Sequence, residues 1–500
     1  MMNSMQFNPN KTHFDDLLII KTKLGSANLG PAALTSSPGI SLSPSIRSTG
    51  YAALARYERA GLIKTVSPLS SGRARRRGPE VPMLGLGPLT SSIALESEPD
   101  PNLDASSVDG LLTGVSIVQV DESADLAALQ NELAHDDSFE VVARVPIRYL
   151  QMPKKTLKNN QPASAIAAIP PNSGDMWNLD RVRWQQARQL SDFRDADSVK
   201  VAVLDSGIQE NHPDLIGRIA SYAWNYSDLN VQSGPGDVIG HGTHVAGTIM
   251  ANFDNNYGIK GICNCELHAY KIFDDTPDFF PFPVPHFTYF VNPLLYRRAL
   301  AECVINKMNV VNLSIGGPGQ PDPIESQLFG ALMQNGTSVV AAMGNEFQDG
   351  NPISYPAAIP GVIAVGATNI NDSKASFSNT GNHIALSAPG TGIWSTLPTY
   401  PGHSFRQAIA VGNGDFVPGS PIPRETEYAA WDGTSMATPH VAAAAALLIS
   451  NGGSFNGQEV KAKLQATARK LPDMNDQDFT SYHGSGCLEL EKLLGSVLAS

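Results

Sequence analysis

From about residue 177 onward, apolar residues occur in short continuous runs that are bounded by Gly, Asn or Asp and separated by helical stretches. Continuous runs of this kind are typical of strands that are buried on both faces of a parallel sheet. Their alternation with helices predicts an α/β layered domain. The predicted strands are Val199–Leu204, Val310–Ile315, Ser338–Met343 and Gly361–Ala367, and the predicted helices are Thr243–Ala251, Leu294–Asn306, Pro323–Asn335 and Val441–Ser450.

The N-terminal part of the chain shows a different pattern, with two short β-α-β patches. Leucines three or four residues apart on one helix face indicate an amphipathic helix in the second patch, and Ser123 is its expected N-cap. Together the patches predict a small α+β unit of ferredoxin-like type. The predicted elements are a strand over Leu17–Ile20, a helix over Tyr51–Ile63, a strand over Gly114–Val120, a helix over Ala124–Leu133 with Leu126, Leu129 and Leu133 on one face, and a strand over Phe139–Tyr149.

A chain of 500 residues is long for one core, so two folded units are expected. We divide it into an N-terminal region over residues 1–152, a polar linker over 153–175 and a second unit over 176–500. Residues 67–109 mix Gly, Pro, Ser and charge, and we expect them to be loosely structured. Within them, the basic run Arg73–Arg77 is interpreted as a solvated loop in preference to a processing or binding signal.

Composition narrows the functional classes. The 35 basic and 47 acidic residues leave a net charge of −12, which argues against general nucleic-acid binding. No apolar run approaches the about 20 residues that a membrane helix needs. The first residues lack a secretory pattern, and four cysteines do not form a disulfide framework. We therefore expect a cytoplasmic protein without membrane or nucleic-acid partners.

Three segments place a reactive side chain where a predicted strand ends or a helix begins. Asp205 ends the strand of VAVLDSGI, His241 starts the helix of GHGTHVAGTI, and Ser435 starts the Ala-rich helix of DGTSMATPHVAAAAALL. Pro439 in the last segment is expected near the first helical turn, where proline is tolerated. Each residue alone is usually a turn, cap or structural residue. Together they supply the nucleophile, base and orienting carboxylate of serine catalysis.

These segments, in the order Asp, His, Ser, resemble the subtilisin-like serine peptidases, the subtilase family. The resemblance covers roughly Trp177 to Leu494. It implies a parallel-sheet, three-layer subtilisin-like domain and a serine endopeptidase that acts on protein or peptide substrates. It also implies that no cofactor is required.

The resemblance assigns roles to individual residues. Asp205 would orient the imidazole of His241, which would act as general base and then general acid, and Ser435 would attack the peptide carbonyl. His244 and His440 lie in the same motifs, but the family does not use these positions as the base. We assign both to packing or capping.

Further segments resemble the family's oxyanion-hole and substrate-binding elements. VVAAMGNE places an amide at Asn345, which with the Ser435 backbone N–H would stabilise the oxyanion. NVVNLSIGG resembles the strand that pairs with extended substrate. Tyr355–Pro356 matches a position where the family often has a cis proline. The expected substrate-binding residues are Ser314, Ile315, Gly316 and Gly317 through their backbones, and these with Ala341, Ala342 and Gly344 as walls of a specificity pocket for an apolar or medium-sized side chain.

Two insertions and a faint metal pattern depart from a minimal family member. Asp274–Phe290, rich in Pro and aromatic residues, is either a packed surface loop or a rim that shapes specificity. Leu397–Trp431 lengthens the approach to Ser435 on the leaving-group side. Asp214 and the Asn255–Asn256 loop faintly resemble a calcium site, but calcium takes about six to eight oxygen ligands. Too few can be named, so no metal is assigned, and the four cysteines, which lack zinc spacing, are expected to be buried thiols.

The N-terminal unit stands where the family carries a propeptide that assists folding and occupies the cleft. We favour an inhibitory propeptide, and hence a zymogen, over a permanent partner-binding domain. Self-cleavage is then expected between residues 150 and 175.

Three other functions are alternatives to a peptidase. The order of the triad and the sequence GTSMA exclude an α/β-hydrolase, which uses the order Ser, acid, His and a GxSxG elbow. A peptide cyclase or transpeptidase with the same triad stays open, because it differs only in whether water or an amine resolves the acyl-enzyme. A catalytically silent scaffold is the remaining alternative, although no triad residue is missing.

Overall fold

The structure is a computed structural model and describes residues 13–23, 54–69, 74–77, 108–150, 176–226, 234–275, 277–280, 286–412 and 415–498. In these ranges the strands are β1 (His13–Thr22), β2 (Ile63–Pro68), β3 (Ala74–Arg77), β4 (Val115–Val120), β5 (Phe139–Pro146), β6 (Tyr149–Leu150), β7 (Ala196–Asp205), β8 (Ile219–Tyr226), β9 (Cys265–Lys271), β10 (Asp278–Phe280), β11 (His286–Thr288), β12 (Val310–Leu313), β13 (Ile315–Gly316), β14 (Ser338–Ala342), β15 (Ile363–Thr368), β16 (Ile384–Pro389), β17 (Ile393–Thr396), β18 (His403–Gly412), β19 (Asp415–Pro423) and β20 (Tyr428–Trp431). The helices are α1 (Ala55–Arg59), α2 (Val108–Leu111), α3 (Leu126–Ala134), α4 (Trp177–Arg181), α5 (Trp184–Arg188), α6 (His241–Met250), α7 (Pro293–Ile305), α8 (Pro323–Gln334), α9 (Thr434–Gly452), α10 (Gly457–Thr467) and α11 (Leu490–Leu498), with short 3₁₀ turns at Phe347–Asp349 and Pro472–Met474.

The N-terminal unit is a four-stranded antiparallel sheet in the order β2-β4-β1-β5, with β-α-β connections through α1 and α3. This is the predicted ferredoxin-like arrangement. Its first helix is shorter than the expected Tyr51–Ile63. Gly61 has a positive φ of 74°, a conformation that favours glycine and ends the helix, and β2 begins at Ile63.

Helix α3, the second connecting helix of this unit, begins two residues later than predicted and has a different N-cap. The Asp125 carboxylate, not Ser123, accepts hydrogen bonds from the backbone N–H groups of Ala127 and Ala128, both at 3.0 Å. Ser123 instead donates its hydroxyl to Asp121. The three leucines of the predicted apolar face are all buried: Leu126, Leu129 and Leu133.

The second unit is built on a sheet in the order β16-β15-β14-β12-β7-β9-β8, in which all seven strands are parallel. Alternate residues of a strand point to opposite faces, and here both faces are buried. Val201 and Val203 of β7 pack with α6 and α9, whereas Ala202 and Leu204 pack with α7 and α8. The unit therefore has the expected three layers, helix, sheet and helix.

The basic segment within Arg73–Arg77 is not the solvated loop that we expected. Residues Ala74–Arg77 form β3, an eighth strand that pairs antiparallel with the edge strand β8. The edge of an open sheet presents unpaired backbone N–H and C=O groups, which accept an additional strand. Composition alone therefore misled the interpretation of this segment.

The two insertions that were predicted separately form one additional sheet. Strands β10 and β11 of the first pair with β18 and β19 of the second, in the order β10-β11-β18-β19. Phe279 stacks on Phe416 across this sheet at 5.0 Å between ring centroids. The described part of the first insertion is therefore packed into a sheet, and its role in specificity stays a prediction.

The end of the N-terminal unit lies on the second unit. Strand β6 pairs antiparallel with β13, so that Leu150 lies opposite Ile315 and Tyr149 lies opposite Gly316. The expected linker over residues 153–175 lies outside the described residues. Among the described residues, no helix combines the length and apolar character needed to cross a membrane.

Candidate active site

A buried carboxylate and a buried imidazole meet where β7 ends and α6 begins. His241 Nδ1 lies 2.7 Å from Asp205 Oδ1, and both side chains are almost fully buried. Because an ionised carboxylate can only accept, Nδ1 carries the proton and Nε2 is left as the acceptor. His241 Nε2 is buried and has no hydrogen-bond partner among the described residues. The imidazole is thus oriented and has a free basic nitrogen.

Ser435, the second residue of α9, exchanges two hydrogen bonds with Ser314. Its hydroxyl donates to the Ser314 carbonyl at 2.9 Å, and the Ser314 hydroxyl donates to the Ser435 carbonyl at 3.0 Å. The second bond explains Pro439, which lies in the second turn of α9 and not near the first as expected. Pro439 has no N–H for the carbonyl four residues before it, and Ser314 satisfies that carbonyl instead.

The predicted hydrogen-bonded line of three groups is therefore present only in part. Asp205 and His241 are bonded, while the Ser435 hydroxyl is bonded to Ser314. Catalytic hydrogen bonds in unliganded sites are often incomplete and form only in the complex with substrate.

The amide of Asn345 is held in a defined orientation. Its Oδ1 accepts from the Thr434 backbone N–H at 2.9 Å and from the Thr434 hydroxyl at 3.0 Å. An amide has its carbonyl oxygen on one side and its NH₂ group on the other. Two donors on the oxygen therefore direct the NH₂ group of Asn345 away from Thr434.

The family model described as Subtilase family, Peptidase_S8, matches residues 196–486, more than half of the chain. This chain belongs to the subtilase family. The predicted resemblance is confirmed.

Individual relatives of this subtilase agree. Subtilisin amylosacchariticus of Bacillus subtilis subsp. amylosacchariticus is 34% identical over 297 residues, which are 59% of this chain and 65% of that relative. This subtilase therefore spans somewhat less than two thirds of the length of such relatives. Over the same share of this chain, subtilisin of Bacillus pumilus is 34% identical with 90% of its length covered. The thermostable alkaline protease of Halalkalibacterium halodurans is 31% identical over 358 residues, 70% of this chain and 85% of that protein.

A solved structure supports the fold over nearly the whole subtilase. Fervidolysin from Fervidobacterium pennivorans, described as a keratinolytic enzyme related to subtilisin, superposes with a TM-score of 0.58 at 20% identity. The match covers 97% of this chain and 61% of that one. The subtilisin-like fold that the sequence predicted is confirmed.

The predicted substrate strand of the subtilase is occupied by its own N-terminal unit, but not with all the predicted groups. Ile315 and Gly316 form the ladder with β6. Gly317 does not, because its N–H donates to the Ser354 hydroxyl and its carbonyl accepts from the Tyr355 N–H. Gly317 instead allows the segment before β6 to approach closely, since a Cβ there would lie 2.2 Å from the Ile147 carbonyl oxygen.

The predicted pocket walls lie on and beside β14. Ala341 and Ala342 are fully buried, and Ala341 contributes to the core between the sheet and α7 and α8. Gly344 follows the strand with a φ of 105°, and a Cβ there would lie 2.3 Å from Asn379 Nδ2. Their role in substrate selection stays a prediction. The peptide bond before Pro356 is cis, as the resemblance implied.

The other two motif histidines are structural. His244 Nε2 donates to the carbonyls of Ile393 and Ala429, and its ring stacks on Trp431 at 5.0 Å. His440 bonds the Met436 carbonyl through Nδ1 at 2.8 Å. Burial lowers the pKa of His244 to about 3 and that of His440 to about 4. Both rings are neutral near pH 7 and already hydrogen-bonded, as expected for packing residues.

The carboxylate of Asp214 accepts three hydrogen bonds from protein donors. It accepts from Asn255 Nδ2 at 2.7 Å, from the Ile259 N–H at 3.0 Å and from the Tyr428 hydroxyl at 2.9 Å. Within the described ranges there is no group of three or more His, Cys, Asp or Glu side chains that could hold a metal ion. The four cysteines are buried and form no disulfide bonds: Cys263, Cys265, Cys303 and Cys487.

An acidic contact between the two units was not predicted from the sequence. Asp278 of β10 is partly buried, and its carboxylate accepts from the Phe290 N–H at 3.2 Å. Burial raises its pKa to about 7, with further contributions from the negative charges of Asp274 and of Asp16 in β1. The rings of Phe14 and Phe290 meet nearby at 6.3 Å. The carboxyl of Asp278 thus lies next to an apolar contact between the two units.

A buried ion pair also joins the two units and was missed. Arg148, the residue immediately before β6, pairs with Glu325 of α8. In the sequence, Arg148 is one charged residue in the segment FEVVARVPIRYLQ, and its partner is 177 residues away. Only the pairing of β6 with β13 brings them together.

Proposed function

We propose that this chain is a serine endopeptidase that hydrolyses peptide bonds through an acyl-enzyme, with Ser435 as nucleophile, His241 as base and Asp205 as the group that orients the base. The observation that carries the proposal is the buried Asp205–His241 hydrogen bond, which leaves His241 Nε2 without a hydrogen-bond partner among the described residues. The His241 ring lies 6.4 Å from the ring of Trp431, which precedes the start of α9 by three residues. A carboxylate on Nδ1 fixes the tautomer that can accept a hydroxyl proton.

The proposed reaction uses side chains and one backbone N–H of this chain, with water as the second reactant. The Ser435 oxygen bonds to the scissile carbonyl carbon while its proton passes to His241 Nε2. The oxyanion that forms is stabilised by the Asn345 NH₂ group and by the Ser435 backbone N–H, which as the second residue of α9 has no partner in its own helix. The C–N bond then breaks, His241 gives its proton to the leaving amine, and water repeats the sequence on the ester.

We further propose that the N-terminal unit inhibits the peptidase in the precursor. The support is its position, since β6 forms an antiparallel ladder with β13, next to the Ser314–Ser435 contact. Extended peptides commonly bind proteases and other domains by such strand addition. In the register of this ladder, one residue of a bound substrate lies opposite Ile315. The next residue of the substrate would then lie opposite Ser314. In this chain that residue is Gln151, so the first cut is expected between Gln151 and Met152.

Labelling with a fluorophosphonate tests the nucleophile. The self-processed wild type is expected to take up one label and the uncut Ser435→Ala variant none, while a cooperative thermal unfolding transition of the variant shows that it is folded. Equal labelling of both would refute Ser435 as the nucleophile.

Ser435→Ala is also expected to leave the full chain intact, whereas the wild type yields a new N-terminus at Met152 by mass spectrometry. A wild type that is active and uncut would refute the inhibitory role.

Product masses distinguish hydrolysis from cyclisation or transpeptidation. Hydrolysis of a test peptide gives two fragments whose masses sum to the substrate plus one water. A cyclic or transpeptidated product retains no added water. Fragments carrying ¹⁸O after reaction in H₂¹⁸O would support the peptidase, and unlabelled cyclic products would overturn it.

A further inference from the structure

The final described residues of the N-terminal unit carry an arginine that is buried in the second unit. Arg148 Nε donates to Glu325 Oε1 at 3.2 Å and Nη2 donates to Glu325 Oε2 at 2.9 Å, which is a bidentate pair. Nη1 donates to the carbonyls of Gly319 at 2.8 Å and Ile147 at 3.0 Å. The arginine is 2% exposed and the glutamate is fully buried. Planar, bidentate contacts of this kind suit a guanidinium and not an ammonium group.

Apart from the Ile147 carbonyl, every group that accepts a hydrogen bond from this guanidinium belongs to the second unit. Glu325 lies in the first turn of α8, and its Oε1 also accepts from the Tyr296 hydroxyl of α7 at 3.1 Å. The backbone N–H of Glu325 is bonded to the Asp322 cap, so the residue is fixed in position. A buried carboxylate that loses its cationic partner is costly. The pocket therefore favours a new arginine once the N-terminal segment has left.

The pocket has a defined place relative to the bond that is cut. The Val291 N–H donates to the Arg148 carbonyl at 2.9 Å, while Tyr149 and Leu150 lie opposite Gly316 and Ile315. The next residue of a peptide in this register would face Ser314, whose carbonyl accepts from the nucleophile. Arg148 is thus three residues before the residue that supplies the scissile carbonyl.

We propose that the pocket formed by Glu325, Tyr296 and the Gly319 carbonyl is a specificity subsite, which selects substrates with arginine three residues before the cleaved residue. The proposal rests on the peptidase function proposed above. It adds a substrate class, polypeptides with a basic residue at that position, to the expectation of an apolar or medium-sized side chain at the cleaved residue. Lysine fits less well, because its ammonium cannot make the two parallel hydrogen bonds to Glu325.

Four peptides test the subsite without any change to the protein. Each has the sequence Xaa-Tyr-Leu-Gln before the scissile bond, with arginine, lysine, citrulline or leucine as Xaa, and flanking fluorophore and quencher. Citrulline matches arginine in shape but has no charge. With the self-processed enzyme, kcat/KM for the arginine peptide is expected to exceed that for citrulline at least about thirty-fold, which is about 2 kcal/mol at 1.4 kcal/mol per tenfold. Equal values for the four peptides would overturn the proposal.

A variant assigns the preference to the carboxylate. Glu325→Gln keeps the shape of the side chain and is expected to reduce the preference for arginine over citrulline to a few-fold. Uptake of the fluorophosphonate, which reacts at Ser435 and not in the subsite, serves as the folding control for this variant. A full arginine preference in this variant would also overturn the proposal. If no peptide is cut and no fluorophosphonate is taken up, the proposed function itself fails, whereas cutting without preference refutes the subsite alone.

Discussion

Two substitutions of Asn345, to alanine and to aspartate, distinguish its proposed effect on kcat from its effect on the stability of the fold. The side chain does two things: its Oδ1 accepts two hydrogen bonds from Thr434, and its NH₂ group is the proposed oxyanion donor. Asn345→Ala removes both. Removal of the corresponding donor in subtilisin costs about 10²–10³ in kcat, or about 2.7–4 kcal/mol, and we expect a loss of that size here with little change in KM.

The same substitution leaves two donors of Thr434 unpaired at the start of α9. Each unsatisfied buried donor costs about 1–3 kcal/mol, so Asn345→Ala is also expected to unfold at a lower temperature. Asn345→Asp is the matched variant. Its carboxylate keeps one oxygen for Thr434 but replaces the NH₂ group with a negatively charged oxygen. It should retain more of the stability and yet lose at least as much kcat as the alanine variant.

The assay is steady-state hydrolysis of one fluorogenic peptide, with thermal unfolding of each variant followed in parallel. The reasoning would be refuted if Asn345→Asp kept near wild-type kcat, because a donor would then not be needed. It would also be refuted if Asn345→Ala raised KM strongly with kcat intact, since that pattern marks equal loss of ground-state and transition-state binding.

Two further predictions concern stability and pH. Tyr428→Phe removes a hydrogen bond to the buried carboxylate of Asp214 and is expected to lower the free energy of unfolding by about 1.5–3 kcal/mol. The control is the same change at the exposed Tyr482, which is expected to alter the free energy of unfolding by no more than about 0.5 kcal/mol. Equal effects of the two substitutions in chemical denaturation would contradict this prediction. Because burial and the charges of Asp274 and Asp16 raise the pKa of Asp278 to about 7, the contact between units favours the protonated carboxyl, and the contact weakens as pH rises from about 4 through 7. The self-cut N-terminal unit should therefore dissociate more readily at about pH 8 than at about pH 6 in size-exclusion chromatography, and an unchanged pH dependence in Asp278→Asn would contradict the assignment.

The sequence alone was sufficient for the layered architecture and for the residues of the proposed triad. Continuous apolar runs such as Val199–Leu204 identify buried parallel strands because both faces of such strands are covered. Asp205, His241 and Ser435 were recognised because each reactive residue lies in a short segment whose glycines and neighbours are local in the chain. Local patterns were less reliable for caps, where Ser123 and Asp125 are similar acceptors and the backbone geometry chose Asp125.

The tertiary structure alone decided which distant segments meet. Strand pairing through backbone hydrogen bonds leaves little mark on side-chain sequence, so the addition of Ala74–Arg77 to the sheet edge and the joining of the two insertions were not predictable. The same holds for the Arg148–Glu325 pair, whose partners are brought together only when β6 adds to β13. The chemistry that local motifs carry could be inferred from the sequence, whereas the proposed inhibition and the proposed specificity depend on contacts between residues far apart in it.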